Sequence, residues 1–428
     1  MRSHHSSGSA RSAARVRRRA ALLALTLAAS TACNSLLTVD NPGRVPADAL
    51  ADPALMPIIH AAALQQFQCG FAQYVATASM LSGEQLSANG FVNNHPWEWR
   101  GAAEIRSEPG SCPAGRAVTS MGFYTPLQQA RFQLDDTFTR MSEFTDAQVP
   151  NRPRSLTELR AYAGYAYALL GEGMCEMTLD NGPRMTRADV LKIAEARFTD
   201  AIARATAIND ASLRNMATVG RARVRLDLAN LTGAAADAVL VPQGFVRNAE
   251  FSETTPAREN RVYNLTVRND YLSVGPDYRN LTVGTGQPDT RVRVTDMRRI
   301  GSDNVTPVWQ QQKFTGSGAV SLPIASWAEA QLILAEASGG QAGIDAINRV
   351  RAVAGVPPLV ANPAIDITPL VLEERRRQLF NEGHRYADML RKGLPFITGV
   401  NRKGQSFGAV TCVPLPDVET RNNPNFKG

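Results

Sequence analysis

The chain has 428 residues, with 46 lysines and arginines against 39 aspartates and glutamates, for a formal net charge of +7. Six arginines and no acidic residue precede Cys33, so the remainder is nearly neutral, at 40 basic against 39 acidic residues. Such a body lacks the concentrated basic surface that nucleic acid requires, and no nucleic-acid partner is expected.

Residues 1–32 read as a secretory signal peptide: the arginines lead into an apolar run from Ala20 to Ala29, followed by Ser30-Thr31-Ala32-Cys33. The run is too short to span a ~30 Å hydrocarbon core, which takes about twenty residues. Small residues before Cys33 predict a lipoprotein cleavage site, although Ser30 stands where leucine is usual. Acylation of Cys33 with two or more chains, at ~0.8 kcal/mol per buried CH₂, would anchor the protein stably on a membrane without crossing it. Cys69, Cys112, Cys175 and Cys412 remain. Four cysteines in an exported protein predict disulfides with three connectivities open, and shared location in the amino-terminal region favours Cys69 with Cys112. No CxxC spacing and no ligand-like histidine pair occurs, so no metal and no other cofactor is expected.

About 395 residues follow Cys33, and no low-complexity linker separates two cores. The reading is a single domain over 33–428, mainly α, in three parts: a helical part over 41–240, a loop-rich insertion over 241–322, and a carboxy-terminal part over 323–428. Asp52-Pro53 is expected to cap a first helix whose inner stripe is Ile58, Ile59, Ala62 and Leu64. Ser155 with Glu158 has capping-box spacing and is expected to open a helix carrying Leu156, Leu159, Ala163, Ala166 and Leu170. A further helix after Thr186 places Leu191, Ala194, Phe198, Ile202, Ala205 and Ile208 on one stripe. Small residues between Leu, Phe and Tyr in these successive helices are compatible with tetratricopeptide-like pairs. Between Val241 and Leu322 the pattern becomes short alternating runs among Gly, Pro, Asn and Asp, which predicts minor β-structure. Tyr263, Tyr271, Tyr278, Trp309 and Phe314 argue that this insertion is ordered. Thr368 is expected to cap a helix beginning with Pro369.

The strongest ligand-contact segment is Phe91 to Arg100, where Phe91, Asn94, His95, Trp97 and Trp99 are the candidate residues. Aromatic faces complement the C–H faces of sugars, and Asn, His, Glu and Arg bond hydroxyls directionally. Two tryptophans one residue apart in a loop also fit a core role. Trp309, with Gln310, Gln311, Gln312 and Lys313, forms a second candidate patch. No residue is assigned a catalytic role: there is no Gly-x-Ser-x-Gly elbow, HExxH, phosphate loop or dinucleotide fingerprint. A glycosidase would need two carboxylates about 5 to 10 Å apart. Glu84, Glu98, Asp135 and Asp136 offer no spacing that selects a pair, and the last two are expected on a solvated helix face. Glu382, Arg385, Asp388 and Arg391, each three apart, predict an ion-pair lattice along one helix face, with His384 at a turn between helices.

The run Leu372-Glu-Glu-Arg-Arg-Arg-Gln-Leu-Phe-Asn-Glu-Gly-His-Arg-Tyr-Ala-Asp-Met-Leu-Arg-Lys-Gly393 resembles the signature helix pair of the SusD/RagB nutrient-uptake lipoproteins. Pro323 to Ala337, Ile347 to Ala352, and Val413-Pro-Leu-Pro416 with Asn422-Asn-Pro424 extend the resemblance in order and at similar spacing. It implies a SusD-like α-α superhelix of about four tetratricopeptide-like helical pairs, with the insertion completing the ligand face. It also implies a cell-surface protein, lipid-anchored in the outer membrane, that captures a glycan or peptide nutrient for a SusC-like TonB-dependent transporter, with no bond chemistry of its own. An exported carbohydrate-active hydrolase and a protein-binding helical scaffold are the alternatives.

Overall fold

The computed structural model describes residues 49–112 and 121–426. The chain divides into two compact units, residues 1–52 and 53–428. Of the first, only a 3₁₀ turn at Ala49–Ala51 is described; the signal peptide and Cys33 lie outside the described residues. The second is mainly helical. Among the described residues, no helix is long and apolar enough to cross a membrane, and no three His, Cys, Asp or Glu side chains are grouped to hold a metal ion.

The amino-terminal half consists of α1 (Met56–Leu81), β1 (Gln85–Ser87), the short α2 (His95–Trp99) and α3 (Ala102–Ser107), and then α4 (Tyr124–Ser142) and α5 (Arg152–Gly173). After the small ladder β2 (Glu176–Met177) with β3 (Met185–Thr186) come α6 (Arg187–Ala207), α7 (Ala211–Asp227) and α8 (Leu231–Ala238). Successive helices pack on one another, α4 on α5, α5 on α6 and α6 on α7, as the small-residue pattern predicts. From Leu156 to Gly173 every residue of α5 except Arg160 is buried, which makes this helix the axis of the core. Phe198 of α6 lies edge-on to Tyr165, with ring centroids 4.9 Å apart. A Cβ on Gly164 or on Gly220 would stand 2.6 Å or 2.3 Å from the Phe198 ring, so both glycines make room for it.

Three local expectations need correction. The first helix begins at Met56 and buries Met56, Ala63, Phe67 and the run from Gly70 to Leu81. Ile58 is 65 % exposed, so the inner stripe is set by Phe67 and the long apolar end, and the expected stripe is out of phase. The helix of Leu156 starts at Arg152 after Asn151, not at Ser155, because Pro153 suits a first turn and has no N–H to lose. Glu158 therefore sits inside it, paired with Arg154 at 3.0 Å and Arg247 at 3.2 Å. Thr368 is the first helical residue of its helix, not its cap; Asp366 accepts its N–H at 2.9 Å. By contrast, Thr186 does cap α6, through a reciprocal box with Asp189.

Residues 241–322 contain β4 (Val246–Ala249), a helical turn at Arg261–Tyr263 that continues into a π-helical turn at Asn264–Arg268, and β5 (Leu272–Val274). The short β6 (Thr282–Val283) and β7 (Gln287–Pro288) precede the hairpin of β8 (Val294–Ile300) and β9 (Pro307–Gln311). The segment is sewn into the body: β5 pairs antiparallel with β1, and β4 with β10 (Leu322–Ser326). Next come α9 (Trp327–Ser338), α10 (Gly340–Val353), α11 (Thr368–Gln378), α12 (His384–Lys392) and α13 (Asp417–Asn422). Disulfides join Cys69 to Cys112 and Cys175 to Cys412, the second across 237 residues of sequence.

The signature helices are held by buried ion pairs, in a different arrangement from the single-face lattice. Asp388 accepts from Arg375 and Arg391, each at 2.7 Å, and Arg391 also clasps Glu336 of α9. Glu374 accepts from Arg291 of the insertion and Arg351 of α10. Glu382 pairs with Lys313, and Arg385 pairs with neither Glu382 nor Asp388. His384 opens α12 behind Gly383, at φ 86°, and is 3 % exposed. Burial, reinforced by Arg223 and Arg375, drives its pKa well below the usual imidazole value.

Two outcomes follow. Gly220→Ala should destabilise the protein by about 1–3 kcal/mol in denaturant unfolding, because Phe198 has nowhere to move. Stability should also depend on pH in two windows. Burial alone would raise the Asp289 carboxyl, but Arg291 and Arg377 outweigh it and hold its pKa at about 2, against an ordinary 3.8. Its contribution is therefore full above the ordinary value and lost as pH falls toward 2. Burial raises Glu84 and Glu329 from 4.5 to about 7, so their cost grows as pH rises through that interval. The melting temperature should peak at about pH 5, and Glu84→Gln should flatten the fall above it; a flat profile would contradict these assignments.

Candidate functional site

The Phe91–Arg100 segment begins as a turn and ends as α2, where Pro96 near the helix start supports a five-residue helix that sequence reading treated as loop. Glu98 anchors it: the buried carboxylate accepts the Ser87 N–H at 2.7 Å and the Arg402 guanidinium. Arg402 also donates to the Thr306 hydroxyl. Asp303 accepts Lys403 at 2.8 Å, together with the hydroxyl and N–H of Thr306. Three distant segments, around residues 87–98, 303–306 and 401–408, are thereby tied at one point. Burial alone would raise the Asp303 carboxyl, but Lys403 and the Thr306 and Val305 donors hold it at about 2. Burial lowers the His95 pKa despite its bond to the Asn89 carbonyl at 2.6 Å.

The knot shapes a cleft of about 430 Å³ between α2–α3 and the Gln405–Val410 strip, lined by Trp99, Arg100, Glu104, Gln405, Ser406 and Val410 among others. Gly408 closes it from below. Its N–H donates to the Trp99 carbonyl at 2.6 Å, its carbonyl accepts Arg100 at 2.8 Å, and a Cβ there would collide with the Arg100 carbonyl. The Arg100 guanidinium lies between Phe396 and Phe407, 5.1 and 5.5 Å from their centroids. A Cβ on Gly101 would strike the Trp99 Nε1 and the Glu104 carboxylate, so glycine there leaves the indole its place. The Trp99 Nε1 and the Arg100 Nε are buried without a protein acceptor. An aromatic ring beside such donors, Gln405, Ser406 and Glu104 is a surface that can stack on a sugar and bond its hydroxyls. A cleft of about 600 Å³ beside β6–β8, lined by Leu281, Val292, Val294 and Gln312 among others, is larger but has no aromatic wall.

Of the candidate residues, Trp99 alone lines the 430 Å³ cleft. Trp97 is 1 % exposed and packs toward Phe123 in the core, so the core reading of that ring holds. Asn94 is equally buried. Phe91 is exposed and edge-on to Tyr271, and His95 is half-buried on Asn89 and Lys403. Trp309 is half-buried on β9 beneath Arg279, 5.1 Å from its centroid. Its neighbours are occupied: Gln311 bonds Thr266 and Phe314, and Lys313 bonds the Gln378 and Phe380 carbonyls. Asp135, expected to be solvated, instead bridges helices by accepting from Arg160, Arg197 and Tyr167. Among the described residues lining the cleft, Glu104 is the one carboxylate. Arg100 closes the predicted segment, whereas sequence reading missed Glu104, Gln405, Ser406 and Val410. Gly399, Gly404 and Gly408 around a polar run were the available signal for a loop there.

A model of the SusD family matches residues 241–408. No curated protein sequence matches the chain. Among solved structures, a SusD superfamily protein from Bacteroides vulgatus ATCC 8482 shares the fold at TM-score 0.65 and 14 % identity, covering 88 % of this chain and 98 % of that one. A SusD-like carbohydrate binding protein from Bacteroides fragilis NCTC 9343 aligns at TM-score 0.55 and 17 % identity, covering 83 % and 98 %. Surface glycan-binding protein A from Bacteroides thetaiotaomicron, solved with laminarihexaose, aligns at TM-score 0.61 and 12 % identity, covering 87 % and 98 %. Residues 241–408 thus match the SusD family, and over most of its length the chain shares the fold of SusD superfamily proteins.

Proposed function

We propose that this protein is a cell-surface lipoprotein that captures an oligosaccharide and passes it intact to a SusC-like TonB-dependent outer-membrane transporter. The observation that carries the reading is the SusD family match over 241–408 within a fold shared with a laminarihexaose-bound protein. The Trp99 cleft supports a glycan over a peptide, since it offers one aromatic face and hydroxyl-bonding groups. Binding without cleavage is supported by the single carboxylate in that cleft, because hydrolysis needs a facing pair. Glu98, the nearest alternative, is already committed to Arg402 and the Ser87 N–H. The apolar leader ending at Cys33 supports lipid anchoring on the outer membrane.

Delivery requires release, so the dissociation constant should fall between micromolar and millimolar, about −8 to −4 kcal/mol. In calorimetry against neutral oligosaccharides and oligopeptides, an oligosaccharide should bind in this range, and Trp99→Ala should weaken it about five- to tenfold, in line with the ~1–1.4 kcal/mol that a stacked ring contributes. Mass spectrometry of the same samples should find only intact sugar. Cleavage products, or binding confined to peptides, would overturn the reading. For the anchor, Cys33→Ser expressed in the native host should move the protein from the membrane fraction to the soluble one; unchanged fractionation would contradict acylation at this cysteine.

A further inference from the structure

Arg385 lies on α12 with Asp388, while Glu382 lies in the turn before that helix, and both carboxylates are taken, the first by Lys313 at 2.6 Å and the second by Arg375 and Arg391. Among the described residues, Arg385 is a half-buried arginine with no hydrogen bond or ion pair; buried Glu84 and Tyr278 feel its charge without bonding it. A guanidinium carries five donors, and partial burial restricts the water available to them.

Arg385 lines a pocket of about 400 Å³ between the start of α11 and α12, with Thr368, Pro369, Leu372 and Leu394 supplying a hydroxyl and an apolar floor. The other charges in its wall are satisfied within the fold. Glu373 accepts from Arg376 and Arg377, Lys392 pairs with Glu336 at 2.7 Å, and Asp366 accepts the Thr368 N–H. One uncommitted cation therefore remains in a wall that also holds two carboxylates. That balance suits a ligand with a single negative charge better than a doubly charged phosphate, and the guanidinium fork matches a carboxylate. We propose that this pocket is a second binding site, for a small carboxylate-bearing ligand recognised through Arg385. Its volume fits one sugar ring or a short peptide end. It shares no lining residue with the Trp99 cleft, so it does not rest on the glycan reading.

The test is calorimetry of the wild-type protein with galacturonate and N-acetylglycine, against galactose and N-acetylglycinamide as their neutral counterparts. At least one carboxylate should bind tenfold or more tightly than its neutral partner, and which one does so separates an acidic sugar from a peptide carboxyl terminus. Arg385→Gln should abolish that preference. Leu394→Trp, which fills the pocket at its half-buried rim without touching the charge, should also abolish binding and decides the matter should Arg385→Gln not fold. Trp99→Ala should leave carboxylate binding unchanged. Absence of a carboxylate preference in the wild type, its survival in a folded Arg385→Gln or Leu394→Trp variant, or its loss in Trp99→Ala would each overturn the proposal.

Discussion

The fold depends on the buried charge network that joins α9, α10, α11 and α12 to the insertion. Arg375, Asp388, Arg391 and Glu336 form one branch, and Glu374 with Arg291 and Arg351 forms the other, which reaches Asp289 and Arg377. Breaking a pair in such surroundings by removing one partner costs about 3–5 kcal/mol, because the other charge is left buried and alone. The network therefore specifies where the insertion sits more than it adds stability. Arg291 on Glu374, with Arg377 on Asp289, seats residues 289–294 on the helices. The β8–β9 hairpin, which carries Asp303 and Thr306 of the second ionic knot, follows directly and is held to β5 through Ser273, which donates to the Pro307 carbonyl and accepts the Trp309 N–H.

That second knot, Glu98 with Arg402 and Asp303 with Lys403, transfers the order of the helical body to the candidate site. Its members come from three parts of the chain about a hundred residues or more apart, so the cleft is a tertiary product. The same logic applies to the Cys175–Cys412 bridge, which fastens the end of the chain beside α5, where Val413 also accepts the Cys175 N–H. A binding surface assembled from such segments is rigid without a contiguous motif. Such rigidity suits a protein that presents a preformed surface to a flexible oligosaccharide, since little ordering cost remains to be met on binding.

Where periodicity and neighbouring residues decide structure, the sequence was legible. The stripe of α6, the helicity of α5, the minor β-structure of the insertion and the ordered aromatic Tyr278 all follow from local pattern. The errors arise where tertiary partners compete with local ones. Gly383 sets Glu382 off from the helix, so Glu382 turns away from Arg385 to Lys313, and Asp388, within helical reach of Arg385, is taken by Arg375 and Arg391. Ile58 has the hydropathy of a core residue and lies on the wrong face of its helix. Trp97 and Trp99 are indistinguishable by type, and only the tertiary setting sends one into the core and the other to the cleft. Gln405 and Ser406 carry no signal of their own and enter the site because Gly408 lets the backbone approach Trp99.

The central claim is that an intact oligosaccharide is held on Trp99 in the cleft formed by α2–α3 and the Gln405–Val410 strip. A crystal structure of the protein with an oligosaccharide identified by calorimetry tests it most directly. The account predicts an uncleaved ligand with a sugar ring stacked on the Trp99 indole and its hydroxyls bonded by neighbouring polar groups. A ligand seated elsewhere with this cleft empty, or a cleaved glycan, would contradict it.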